Sequence, residues 1–117
     1  MPSPQNLDPA DVARWMAQRG IILIDVREPG EYAAERIHGA LLYPLSTFDP
    51  RALPDFEDRR IVFSCGSGMR SAKAMAAAKN AGLSVAGHLT GGLMAWKAAG
   101  LPTIAVNPAT GQLRERR

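Results

Sequence analysis

The sequence predicts an α/β domain, with a central parallel sheet of about five strands and helices on both faces. Three observations predict it. Short apolar runs at 21–26, 40–43, 61–64 and 83–89 alternate with helix-like segments, the order expected when crossover helices join parallel strands. The run at 21–26 is apolar without alternation up to Asp25, as suits a strand buried on both faces. No internal repeat interrupts this order.

Each element has a local cause. Asp8 and Pro9 open a helix, with a capping carboxylate followed by proline at the first helical position. Val12, Trp15 and Met16 follow at helical spacing, and Gly20 stops the run. The strand at 21–26 leads into a turn, Arg27-Glu28-Pro29-Gly30, and then a short helix at 31–37 with Tyr32 and Ile37 as its apolar members. His38-Gly39 breaks that helix, and Pro44 ends the short strand at 40–43. Residues 45–53 are mixed, with a capping signal at Ser46-Thr47-Phe48-Asp49, and 54–60 is a polar connector. The strand at 61–64 is central. The Ala-rich segment 70–81 is the clearest helix, its expected apolar stripe being Met69, Ala72, Met75 and Ala76, with Gly82 just past its end. After the strand at 83–89, Thr90-Gly91-Gly92 turns into a helix carrying Leu93, Met94, Trp96 and Ala99, closed by Gly100 and Pro102. The division expected is a domain at 1–102 and a basic tail at 103–117. A turn signal at Asn107-Pro108-Ala109-Thr110-Gly111 leaves a loose strand pair, a dimer contact or a frayed end open for that tail.

Composition bounds the function. A chain of 117 residues, 46% hydrophobic and 21% charged, is long enough for one packed core and is not disordered in character. Its net charge of +3 owes much to Arg114, Arg116 and Arg117 in the tail. With charges of mixed sign elsewhere and only 6% aromatics, no nucleic-acid footprint is expected. One cysteine makes no internal disulfide and fits a reducing compartment. No membrane-length apolar run and no signal-like N-terminus occur, so a cytoplasmic location is the expectation. One Cys and two distant His make no metal-ligand set.

The chemistry-bearing stretch is Cys65-Gly66-Ser67-Gly68-Met69-Arg70. It lies where a buried strand ends and a helix begins, the place where open parallel sheets bind ligands. Backbone N–H groups and the positive end of a helix there stabilise a thiolate. The glycines let the backbone curl, and Arg70 adds a permanent cation. A lone cysteine is as readily an inert hydrophobe, so position alone leaves nucleophile and filler both open.

Four segments in order resemble the rhodanese family. Ile24-Asp25-Val26-Arg27 with Glu31-Tyr32 resembles its first signature, and Ile37-His38-Gly39-Ala40 the segment before its second strand. The loop from Cys65 to Arg70 resembles its active-site loop. Thr90-Gly91-Gly92-Leu93-Met94-Ala95-Trp96, with Ala99-Gly100-Leu101-Pro102, resembles its closing signature. The resemblance implies sulfurtransferase chemistry. A thiolate takes the outer sulfur of a small donor such as thiosulfate, and a thiophilic acceptor (cyanide, a thiol or a protein) removes it. It implies no cofactor beyond a covalent persulfide on Cys65.

On this resemblance Cys65 is the nucleophile. Gly66, Ser67, Gly68, Met69 and Arg70 supply backbone N–H groups, and Arg70 also offers its guanidinium to the donor's oxyanion. Asp25 and Arg27 are supporting candidates, with Arg27 either near the anion entrance or paired to Asp25 or Glu31; the paired arrangement is favoured. Arg36 stands where the family often has histidine, and His38 where it often has proline, so His38 is expected at the surface or in a cap. The loop opens as in mercaptopyruvate-using members but ends in Arg as in many thiosulfate-using ones, which leaves the donor open. Small Cys-based phosphatases and arsenate reductases use a similar cradle with one more residue between Cys and Arg; here four intervene. A partner-binding module without catalysis is a further alternative, although such modules usually lack the cysteine.

Overall fold

Helix α1 (Pro9–Ala17) starts where the sequence predicts, because the Asp8 carboxylate accepts the Asp11 backbone N–H at 2.9 Å and proline occupies the first turn. The computed structural model describes residues 5–117. Around α1 run β1 (Gln5–Leu7) and β2 (Ile21–Asp25), then α2 (Pro29–Ala34), β3 (Glu35–Arg36) and β4 (Leu41–Leu42). Two short 3₁₀ turns, Leu45–Thr47 and Pro50–Ala52, lead to β5 (Arg60–Ser64). The chain closes with α3 (Met69–Asn80), β6 (Val85–Leu89), α4 (Gly92–Ala98), β7 (Thr103–Val106) and β8 (Leu113–Arg116).

The central sheet has five strands in the order β1-β6-β5-β2-β4, and every pairing is parallel. This is the architecture the sequence predicts. The pleat sends alternate residues to opposite faces. Leu23 and Val62, register partners, pack with Val12 of α1 and with Leu93 and Trp96 of α4. Ile24 and Phe63, the next pair, pack on the other face with Ala74 and Ala78 of α3. Phe63 and Leu23 are fully buried, each stabilising the fold by about 2–3 kcal/mol. Strand β5 is central, so the loop that follows it emerges from the most buried part of the sheet.

Three features differ from the sequence expectation, and a fourth, the tail, takes the strand-pair form among those left open. Strand β1 is an added edge that its polar three-residue sequence does not announce; only Leu7 of it is buried. The helix expected over 31–37 ends at Ala34, because Glu35 is extended at φ −159°, ψ 138° and begins β3. What holds it is tertiary: the Thr103 hydroxyl donates to Glu35 Oε2 at 2.6 Å and Lys97 Nζ to Oε1 at 2.9 Å. The tail is an antiparallel hairpin, β7 with β8, and β7 also pairs with β3 to make a second sheet. Finally, the buried face of α3 is Ser71, Ala74 and Ala78, with Met75 beside them, while Met69 and Ala76 are exposed. An Ala-rich helix carries small apolar residues all round, so periodicity does not pick its inner face.

Candidate functional site

Cys65 sits just past β5, with 1% of its surface exposed. Gly68, the N-cap of α3, has φ +103°, a left-handed conformation that side chains resist. A Cβ there would also lie 3.1 Å from the Gly91 nitrogen. This turn curls the loop back over the sulfur. The Gly68 backbone N–H donates to Cys65 Sγ at 3.0 Å and the Ser71 backbone N–H at 3.4 Å. Helix α4 fastens the loop from the other side: the Leu93 N–H donates to the Cys65 carbonyl at 2.8 Å and the Met94 N–H to the Gly66 carbonyl at 3.1 Å.

The thiol's acidity follows from these contacts. Burial pushes its pKa up. The Ser71 hydroxyl and the backbone N–H groups of Ser71, Gly68 and Ser67 push it down and prevail, leaving it below the ordinary thiol value. The sulfur also lies at the first turn of a twelve-residue helix, whose positive end favours an anion. The site therefore stabilises a thiolate in a ring of N–H donors.

The other predicted residues divide. Gly68 faces the sulfur, while Ser67 and Met69 are exposed on the loop, Met69 at 75%. Arg70, expected to present its guanidinium to a donor's oxyanion, is instead held by Glu31 of α2: Nη1 to Oε1 at 2.6 Å and Nη2 to Oε2 at 3.0 Å. The Arg70 guanidinium holds the Glu31 carboxyl down to about 2, and Glu31 raises the pKa of Arg70 in return. Arg27 is paired with Asp25, the arrangement favoured from the sequence, with Nη2 2.8 Å from Asp25 Oδ2, and not with Glu31. Both side chains are buried, and Arg27 also donates to the Glu35 carbonyl at 2.6 Å. Asp25 and Arg27 thus tie the end of β2 to β3. His38 is exposed, away from any hydrogen bond to the loop.

Two residues at the site escaped the sequence reading. The sequence offers Glu31 as part of a signature and as a partner for Arg27, not for Arg70, and it assigns Ser71 no role. Ser71 is a polar residue on the inner face of α3, one position past Arg70. A single serine directly after the loop arginine, in an otherwise Ala-rich helix, was the available signal. Behind it His88 of β6 points the same way, with Nδ1 2.8 Å from Ser71 Oγ. Among the described residues no group of His, Cys, Asp and Glu is arranged to hold a metal ion, and no helix is long and apolar enough to cross a membrane.

Residues 8–99 match the rhodanese-like domain family. An uncharacterised protein of Synechocystis is 42% identical over 104 residues, covering 89% of this chain and 58% of the relative; the chain thus spans little more than half the length of that protein. A protein named sulfurtransferase from Allochromatium vinosum is 36% identical over 85 residues, covering 73% of this chain and 79% of the relative. The solution structure of the rhodanese-like domain of an Anabaena protein superposes with a TM-score of 0.75 at 26% identity, covering 92% of this chain and 86% of that one.

Proposed function

The chain belongs to the rhodanese-like domain family, and on that premise we propose that it is a sulfurtransferase carrying a sulfane sulfur as a persulfide on Cys65. The observation that supports this most directly is the ring of N–H donors around Sγ, drawn tight by a loop with four residues between Cys65 and Arg70. A ring of this size suits one sulfur atom better than a tetrahedral oxyanion.

In the proposed first half-reaction the Cys65 thiolate attacks the outer sulfur of a small donor such as thiosulfate. The donor's S–S bond breaks and sulfite leaves with the electron pair. The new terminal sulfur is anionic, and oriented N–H dipoles stabilise such charge without reorganisation. In the second half-reaction a thiophilic acceptor attacks that sulfur and the Cys65 thiolate departs, a ping-pong sequence. The chain holds no second cysteine, so the sulfur passes to an outside acceptor: cyanide, a thiol or a protein. Arg70 serves donor binding only when its guanidinium is shared with, or released from, Glu31. No cofactor enters the scheme.

Intact mass after thiosulfate treatment tests the reading. One added sulfur, removable by cyanide and absent in Cys65→Ala, is the expected result. Hydrolysis of an aryl phosphate with no sulfur uptake would sink it in favour of the phosphatase alternative.

A further inference from the structure

Behind Cys65 a line of polar side chains runs into the core. Ser71 is fully buried, and His88 is 6% exposed. Ser71 Oγ lies 3.6 Å from Cys65 Sγ, 3.1 Å from the Gly68 carbonyl and 2.8 Å from His88 Nδ1. His88 Nε2 lies 3.0 Å from Asn6 Oδ1 on the edge strand β1. Ser71 of α3, His88 of β6 and Asn6 of β1 thus follow one another in a chain of contacts behind the sulfur.

The hydrogen count along this line decides what it can do. Asn6 Oδ1 only accepts, so His88 Nε2 carries a hydrogen. In the neutral ring Nδ1 is then bare and shares the one Ser71 hydroxyl hydrogen with the Gly68 carbonyl, which leaves the Ser71 oxygen to accept from the Cys65 thiol. For Ser71 to donate to a thiolate instead, Nδ1 must hold a hydrogen of its own. With the thiolate formed, the fully paired arrangement is Nε2–H to Asn6, Nδ1–H to Ser71 Oγ, and Ser71 O–H to the sulfur.

We propose that Ser71 and His88 form a proton relay for Cys65, in which the thiol proton passes to Ser71 Oγ as the Ser71 hydrogen passes to His88 Nδ1. The S–H and the old O–H bonds break, a new O–H and an N–H bond form, and a thiolate and an imidazolium result with no electron transfer and no leaving group. His88 hydrogen-bonds to Ser71 and not to the sulfur, so it acts on Cys65 only through Ser71, by taking the proton that Ser71 gives up. The groups facing its ring are Asn6 from β1, Ser71 from α3 and the Gly68 turn near Cε1. No acidic or basic side chain hydrogen-bonds to it among the described residues, and the charged pair at the loop, Arg70 with Glu31, is self-contained. Burial lowers the pKa of the His88 imidazole, so the ring keeps a second proton only against the thiolate's charge, a coupled titration.

The inference rests on Cys65 as nucleophile, but its readout is ionisation, so it stands or falls whether or not sulfur is transferred. The test follows the thiolate's ultraviolet absorbance against pH, with Cys65→Ser as blank, and the ring ¹⁵N shifts of His88 in the same interval. In the unsubstituted protein the His88 ring should be doubly protonated where the thiolate is present, and in Cys65→Ser it should lose that proton at lower pH. His88→Asn and Ser71→Ala should each move the thiolate midpoint up by about one pH unit, a tenfold smaller thiolate fraction at pH below it, and Ser71→Thr should restore it. A His88 ring that stays neutral while the thiolate forms overturns the relay, even if the variants do not fold. So does a His88→Asn midpoint equal to that of the unsubstituted protein.

Discussion

Glu31 and Arg70 stand 39 residues apart in sequence and meet in a two-pronged ion pair, 2.6 and 3.0 Å, beside the cysteine loop. The same Glu31 Oε1 also accepts the Glu28 backbone N–H at 3.0 Å, so the carboxylate joins the start of α2 to the start of α3. Glu31→Gln should leave Arg70 with its full charge. An anionic donor such as thiosulfate should then bind more tightly, lowering KM several-fold at low salt, and the gain should shrink as ionic strength rises. Initial-rate measurements at two salt concentrations check this; an unchanged KM would show that Arg70 does not meet the donor.

The same pair makes a stability prediction with a definite sign. The folded Glu31 pKa is about 2, below its ordinary value of 4.5. The contribution is therefore complete above 4.5 and is lost as pH falls through the window down to about 2. Both side chains are more than a third exposed, and solvent screening reduces the contribution to about 0.5–1 kcal/mol. Urea unfolding of Glu31→Gln should show a deficit of that size at pH 7 which closes toward acid pH.

Asp25 and Arg27 present the opposite case, an ion pair whose side chains are only 5% and 6% exposed. Asp25→Ala leaves a buried guanidinium without its carboxylate, which costs about 3–5 kcal/mol. Denaturant titration should show a loss in that range, and the folded fraction should still take up sulfur on Cys65. A loss of uptake at full folding would place Arg27 at the donor instead.

Gly92 has φ +59°, and a Cβ there would meet the Cys65 carbonyl oxygen at 2.3 Å. Gly92→Ala must push α4 away from the loop, breaking the Leu93 and Met94 N–H bonds that fasten Cys65 and Gly66. A loss of at least about 1–3 kcal/mol is expected from the backbone strain, with sulfur uptake falling more steeply than stability. Thermal melting and persulfide yield, measured together, separate the two effects.

The hairpin is held to the domain by Thr103, whose hydroxyl reaches the Glu35 carboxylate at 2.6 Å. Thr103→Val should cost about 1.5–3 kcal/mol, the range for a hydrogen bond to a charged group. Amide exchange should then speed up at Ile104 and Ala105, which pair with β3.

The alternation of strands and helices, the Asp8 cap and the placement of Cys65 after a buried strand were legible in the sequence because each depends on residues near one another in the chain. Periodicity reports local burial, and capping and turn chemistry act over a few residues. The four ordered signatures added the family. Tertiary structure decided what local pattern does not encode. Glu35–Arg36 became a strand because β7 arrived beside it, and Gln5–Leu7 became one because β6 offered an edge. Arg70 met Glu31 and Ser71 met His88 only when α3 was laid across the sheet, and His88 met Asn6 only when β1 paired with β6. These contacts join residues 17 to 82 positions apart. The sequence thus determined where the nucleophile sits in the chain, and folding decided which groups set its charge, because electrostatics and hydrogen bonding act through distances in space.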